Sequence, residues 1–470
     1  MNMSARGKIS FFALFLLIVS AVDSNRNLPS SALFGSPLIF FFLFAAVFFL
    51  FPSALIAAEL SAAFPEEGGI YHWVRKAFGD KMGMLAIWLQ WINTMVWYPT
   101  VLSFIAGTLT YLFDPALMES KAYIICAITG IFWGLTLVNL FGMTISARIN
   151  TIFAALGTVC PMIFLIVLGF IWTLTGNSFQ IPITLDSIIP SLSKLDSWTA
   201  LEAVMASFLG MELSGVHITH VAHPQKTFPR ALLLATLFIL VTMFLGSLTI
   251  AIVLPASKIN LAGGVMQVFD SFFKVFHLDA FVPWMSMLIV VGSVGGMINW
   301  LISPSKGLLH ASRYGFLPDF FTRTNKHGVA SNILVAQAVL VSLFCVALLL
   351  LPSVNAFYWF LTALSNCLYM SMYILMFLSA FRLRSQTVER AFKIPGGRFG
   401  LGLICCLGLI GSSLTIIFGF VPPELVNIGS ALRYTIMIAV GNAVLILPVL
   451  FFIRHKARQQ AIKENKMPDL

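Results

Sequence analysis

Charge is what this chain has least of. Asp, Glu, Lys and Arg make up 10% of its 470 residues, against about 25% in an ordinary soluble protein. That scarcity excludes a water-facing surface over most of the molecule. The complement is apolar: 59% hydrophobic residues, 44 of them Phe, with a mean hydropathy of +0.94. The composition is that of an integral membrane protein.

Cysteine is scarce too. The six (Cys126, Cys160, Cys345, Cys367, Cys405 and Cys406) all lie inside apolar runs without zinc-site spacing, so they read as packing residues and not as a disulfide framework or metal site. No Walker loop, catalytic triad or metal motif occurs, and the expectation is therefore no enzyme, no cofactor and no metal. Lys and Arg outnumber Asp and Glu by 28 to 18, but they form no stripe that would suit nucleic acid. They sit at the ends of apolar segments, where topology signals belong.

A helical span needs roughly 20 apolar residues. On that basis the sequence predicts twelve spans, near 9–34, 37–62, 83–112, 122–142, 151–175, 198–221, 231–254, 280–303, 332–352, 356–381, 400–421 and 432–453. Arg6 and Lys8 precede the first apolar run as in a signal peptide, yet no small-residue cleavage site follows, so that segment is read as retained. With alternating connections, 22 Lys/Arg fall on the side of the termini and five on the other (Lys121, Lys194, Lys258, Lys274 and Arg433). The bias predicts cytoplasmic termini; the expected location is a plasma membrane, in a bacterium the inner one. The basic residue left over, Arg26, falls inside a span.

The stretch around Arg26 is the sequence's main anomaly. Asp23, Ser24, Asn25, Arg26, Asn27 and Pro29 interrupt the first apolar segment. At membrane depth, irregular backbone survives only within protein or around a cavity. A discontinuous helix is expected, its second half starting near Asn27 or Leu28 with Pro29 in the first turn, where a missing N–H costs nothing. Span six repeats the theme, because Gly210 and Gly215 flank the intramembrane carboxylate Glu212. Interruptions at corresponding positions of two five-helix halves point to a transporter built from inverted repeats.

Several pieces then occur in order: Ala57-Ala58-Glu59, Glu66-Glu67-Gly68-Gly69 with Trp73-Val74, and Gly210-Met211-Glu212 with His217. Ile259-Asn260-Leu261 leads to Gly264-Val265-Met266-Gln267, and Pro304-Ser305-Lys306-Gly307, Asn325-Lys326-His327-Gly328-Val329 and Ile394-Pro395-Gly396-Gly397 follow. With these the chain resembles the amino acid–polyamine–organocation transporter superfamily, most closely its glutamate/γ-aminobutyrate antiporter branch. The resemblance implies an all-α, LeuT-like fold of twelve transmembrane helices: a first inverted repeat over 1–175, a second over 176–399, and two further helices with a short basic tail over 400–470. It also implies a substrate site between the breaks of helices 1 and 6. The substrate carboxylate would meet backbone N–H groups of the Asp23–Asn27 region, and the ammonium would meet carbonyls of Val22, Ser207, Phe208 and Leu209, beside Gly210. The chain departs from the branch at Arg26, at Gly296 in place of an acidic residue, and at His220 and His223.

Arg26 needs a partner at membrane depth, and the options are a substrate carboxylate, Asp23 or Glu212. Glu212 is the candidate for a proton- or ammonium-linked carboxylate, with His217 as a possible pH sensor. Glu59, next to basic residues, suits a gating or structural role, and Glu202, early in span six, is placed at the outer interface without assignment. Tyr369 and Tyr373 lie one turn apart and suit a cavity wall or gate. Gln90, Asn93 and Trp97 share helical spacing, with Asn93 toward substrate and Gln90 and Trp97 as gates. His217, His220 and His223 cannot all converge on one metal. The reading is a secondary active transporter exchanging an amino acid for another amino acid or an amine. The alternatives are a proton-coupled amino acid symporter and a transporter-fold sensor without transport. Its partners would be a small-molecule substrate and the lipid bilayer, with no nucleic acid, as a monomer or homodimer.

Overall fold

The computed structural model describes residues 10–64, 69–141, 147–191, 195–213, 221, 224–312, 315–386, 388, 390 and 392–465. These form a bundle of long helices, and eleven of the helical segments are long and apolar enough to cross a membrane. In the first half the helices are α1 (Phe11–Val22), α2 (Leu28–Ala32), α3 (Leu38–Ala45), α4 (Phe51–Ala63), α5 (Ile70–Phe78), α6 (Asp80–Leu109), α7 (Lys121–Leu140) and α8 (Ala147–Leu174). After the short α9 (Leu185–Ile188) and α10 (Ala200–Ala206) come α11 (Pro224–Val253), α12 (Gly264–Val275), α13 (Val282–Ser312), α14 (Ser331–Leu350), α15 (Val354–Leu383) and α16 (Gly397–Gly419). The last two are α17 (Ala431–Ile446) and α18 (Pro448–Asn465).

The twelfth expected span is the sixth, and it is not one helix. Helix α10 stops at Ala206, and the chain turns through Ser207–Gly210 before a short 3-10 stretch to Leu213. Gly210 has φ +105°, which an L side chain adopts only under strain. The continuation through 214–220 lies outside the described residues, as do His217, His220 and His223. Helix α13 runs to Ser312 with Pro304 inside it, beyond the expected end at 303. A packed bundle tolerates such a proline because neighbouring groups satisfy the freed carbonyl.

Helices α6 and α15 form the enclosed centre and pack on each other; α13 covers α6 and crosses α8. That crossing is close because it is made by glycines. A Cβ on Gly157 would lie 2.3 Å from the Gly292 Cα, so no other residue fits. It brings α8 and α13 up against the break in the first span.

Candidate functional site

The first break is the floor of the site. Helix α1 ends at Val22, Asp23 and Ser24 are extended, Asn25–Asn27 make one 3-10 turn, and α2 begins at Leu28 with Pro29 in its first turn. Asp23 N–H still reaches Val19 O at 2.8 Å, and Asn27 N–H reaches Ser24 O at 3.2 Å; the amides of Ser24, Asn25 and Arg26 donate to no backbone carbonyl among the described residues. Side chains from distant helices hold this irregular segment. Asn25 Nδ2 donates to Gly157 O (3.3 Å) on α8, and Asn27 Nδ2 to Ala206 O (3.2 Å) at the end of α10. The hydroxyl of Tyr358 on α15 donates to Arg26 O (3.0 Å). The Asn27 bond joins the two broken helices directly.

A cavity of about 80 Å³ opens over this floor. Val22, Asp23, Ser24, Asn25, Arg26 and Asn27 line it from the break, Asn93, Trp97, Val101 and Phe104 from α6, and Ala206 and Leu209 from the second break. Helix α13 adds Gly292, Ser293, Gly296, Met297 and Trp300, and α15 adds Ser365 and Tyr369. Its volume suits a small molecule and leaves no room for a peptide.

The cavity's charges are not paired with each other. The Arg26 guanidinium donates from Nη1 to Thr100 Oγ1 (2.7 Å) and lies over the Trp97 ring, 5.2 Å from its centroid. Asp23 accepts from Thr242 Oγ1 (3.0 Å) through Oδ2. The expected pairing of Arg26 with Asp23 or Glu212 is not formed: among the described residues no ion pair involves Arg26. The break spends its geometry on hydroxyl partners from α6 and α11 instead. Arg26 Nε, Asp23 Oδ1 and Asn25 Oδ1 are buried without any hydrogen-bond partner among those residues.

Glu212 lies beside the cavity and not in its wall. It accepts from Gln90 Nε2 (3.1 Å), from the hydroxyl of Tyr369 (2.5 Å) and from the hydroxyl of Tyr373. Tyr373 Oη also accepts from Gly210 N–H (3.0 Å), tying the second break to α15. Tyr369 is thus shared, since it lines the cavity with one face and holds Glu212 with its hydroxyl. Of the expected substrate residues, Ser207, Phe208, Gly210 and Tyr373 do not reach the cavity. Ser207 Oγ turns back to Ala203 O (3.3 Å), Phe208 packs edge-on against Phe42, and Tyr373 is committed to Glu212.

The other expected gates behave differently. Trp97 lies against Trp300, 4.9 Å between centroids and tilted by 42°, as well as under Arg26, Gln90 belongs to the Glu212 cluster, and Asn93 Oδ1 accepts from Ser365 Oγ. Glu59 is remote from the cavity, at the end of α4, bonded to Arg384 and to Ile394 N–H. All six cysteines are free.

The model of the amino acid permease family matches residues 9–442. The chain belongs to that family. The permease is 40% identical over 95% of its length, and 97% of the other's, to an uncharacterized transporter of Legionella pneumophila. It is 28% identical to the glutamate/gamma-aminobutyrate antiporter of Lactococcus lactis, over 96% of this chain and 91% of that one. It is 24% identical to a protein of the same organism named "probable agmatine/putrescine antiporter", over 97% of both. The permease is thus an integral membrane protein of the amino acid–polyamine–organocation group.

Sequence reasoning missed Thr100, Thr242, Tyr358 and Ser365. Each is a hydroxyl in an apolar helix, and Thr100 and Thr242 also bond back to their own helices as ordinary helical threonines do. Only Gly296 carried a signal, as the place where the resembling branch has an acid.

Proposed function

We propose that this permease is a secondary transporter that exchanges an amino acid for another amino acid or an amine by alternating access in a bacterial inner membrane. In this reading twelve spans form a five-plus-five inverted repeat with cytoplasmic termini, and substrate binds at the two breaks. The observation that carries it is the cavity's pair of opposite, mutually unpaired charges, Arg26 and Asp23, set among backbone amides that donate to no backbone carbonyl of the described residues. An anionic group of the substrate meets Arg26 and the amides of Ser24 to Arg26; its ammonium meets Asp23, Asn25 Oδ1 and the carbonyls of Val22 and Leu209. A side-chain carboxylate fits Arg26 best, and the antiporter relative named for glutamate supports that choice.

The test is counterflow in liposomes. Labelled glutamate should accumulate only when the vesicles are preloaded with unlabelled substrate, and a protonophore should not abolish the uptake. The buried Glu212 favours a second reading, proton-coupled symport. Uptake into unloaded vesicles driven by an imposed proton gradient, and lost in Glu212→Gln, would select it. Specific binding with no flux under either regime would mark a sensor.

A further inference from the structure

The carboxylate that neither the cavity nor Glu212 explains is Glu202. Its place early in span six suggests an outer interface, yet it is 1% exposed. It sits in α10, in the wedge between α15, α16 and the start of α17. Asn366 Nδ2 on α15 donates to both Glu202 Oε2 and Glu202 O (2.9 Å for the carbonyl). Its other oxygen, Oε1, has no partner among the described residues. The space for Oε1 is built: a Cβ on Gly419 would lie 2.6 Å from it and 2.8 Å from Cys367 Sγ. Tyr434 Oη closes the site by donating to Gly419 O (3.1 Å).

Around it, no described cation offers compensation. Helix α15 presents Cys367 and α17 presents Tyr434, both ordinarily neutral; α2 and α3 contribute no titratable side chain, α16 presents Gly419, and the 3-10 turn Leu195–Thr199 before α10 carries Asp196, an acid and not a cation. Arg26, in the turn next to the end of α10, is committed to Thr100 and Trp97. An ionised carboxylate buried without a counter-charge is costly enough that such a group takes up a proton instead. A carboxylic acid also explains the asymmetry of the two oxygens: Oε2 accepts from Asn366 as a carbonyl, while Oε1 is the hydroxyl.

We propose that Glu202 is a proton-binding site separate from the substrate cavity, and that its proton sets the packing of α10 against α15. A proton from the aqueous phase bonds to Oε1, leaving a neutral acid in the wedge. Loss of the proton leaves a carboxylate there without a counter-charge, which favours opening of the wedge to water although the bond from Asn366 becomes charge-assisted. Because α10 also carries Ala206, the acceptor for Asn27, the same event reaches the first break.

Infrared difference spectroscopy on the purified full chain in lipid tests this without any substrate. Wild type minus Glu202→Gln should show the carbonyl stretch of a protonated carboxyl at mildly acidic pH, converting to carboxylate bands as pH rises. Carboxylate bands alone across the accessible range would overturn the proposal. Should Glu202→Gln fail to fold, Asn366→Ser should shift that carbonyl band in otherwise native protein; an unshifted band overturns it equally. Exchange by Glu202→Gln should persist with its pH dependence reduced, and an unchanged pH profile would remove the coupling to α10. A wild type without any flux would count against the transport reading, while the infrared result would still decide the proton site.

Discussion

Two buried sets of charges in this molecule are treated in opposite ways. At the end of the bundle where the basic residues gather, every oxygen of Glu59 is used. Arg384 bonds its Oε1, Arg390 Nε stands 3.8 Å from the same atom, and Ile394 N–H donates to Oε2 at 2.9 Å. Arg384 and Arg390 in turn donate to the carbonyls of Ile394, Leu383 and Arg384 itself, closing the connection after α15 onto α4. In the central cavity, by contrast, Arg26 Nε, Asp23 Oδ1 and Asn25 Oδ1 are left without partners. Among the described residues the first set lacks one hydrogen bond, at Arg390 Nε, but each of its charges faces an opposite one. Such a network fixes one arrangement of chain, whereas charges that face no opposite charge make a site for something that completes it. The first set is a clasp; the second fits a zwitterion.

The comparison breaks most visibly at the clasp. Glu59→Ala strands two guanidinium groups whose side chains are 10% and 5% exposed. Removing one partner of a buried pair typically costs about 3–5 kcal/mol. The expected outcome is a large drop in the unfolding temperature of the purified protein and a poor yield. A variant as stable as wild type would mean that the clasp is ornamental and that the contrast with the cavity is not one of stability.

Arg26→Ala should do the reverse. Removing a charge that lacks an ionic partner should leave thermal stability unchanged or raise it, since the burial penalty goes with it. Binding of an acidic amino acid should weaken, because a charge-assisted hydrogen bond contributes about 1.5–3 kcal/mol, or roughly ten- to hundred-fold in affinity. Neutral amino acids should lose less. Affinities of both classes, measured in wild type and variant, decide the matter: equal losses would show that Arg26 holds the break and does not read the substrate.

How much of this contrast could be read in advance depends on chain-local signals. The first break was legible because charges, amides and Pro29 cluster within a few residues of one apolar run, and α2 does begin at Leu28. The Glu212 cluster was half legible, since Tyr369 and Tyr373 share a helix face and Gln90 lies on a neighbouring helix, but nothing in the spacing says that three donors meet one carboxylate. The burial of Glu202 was illegible because counting residues from a span's start measures length along the chain, not cover by α15 and α16. The partners of Arg26 and Asp23 were illegible. Thr100 and Thr242 also bond their own helices, to Trp97 O and Phe238 O, so their sequence context is that of any helical threonine.

The smallest expected effect tests whether Thr100 belongs to the cavity's unfinished network. Its hydroxyl accepts from Arg26 Nη1 at 2.7 Å and donates to Trp97 O at 2.7 Å. Thr100→Val keeps the shape and removes both bonds. The carbonyl of Trp97 retains its helical partner, so α6 should tolerate the change, and the Trp97 ring still lies under the guanidinium. What is lost is one neutral acceptor for a cation, about 1 kcal/mol, or roughly fivefold in affinity. The loss should fall on acidic amino acids, because Arg26 becomes less well aimed, and should spare neutral ones. Equal losses across both classes would place Thr100 in the support of α6. No loss in either would mean that the stack on Trp97 alone positions the guanidinium, and that the cavity's cation is held by an aromatic face and not by a hydrogen bond.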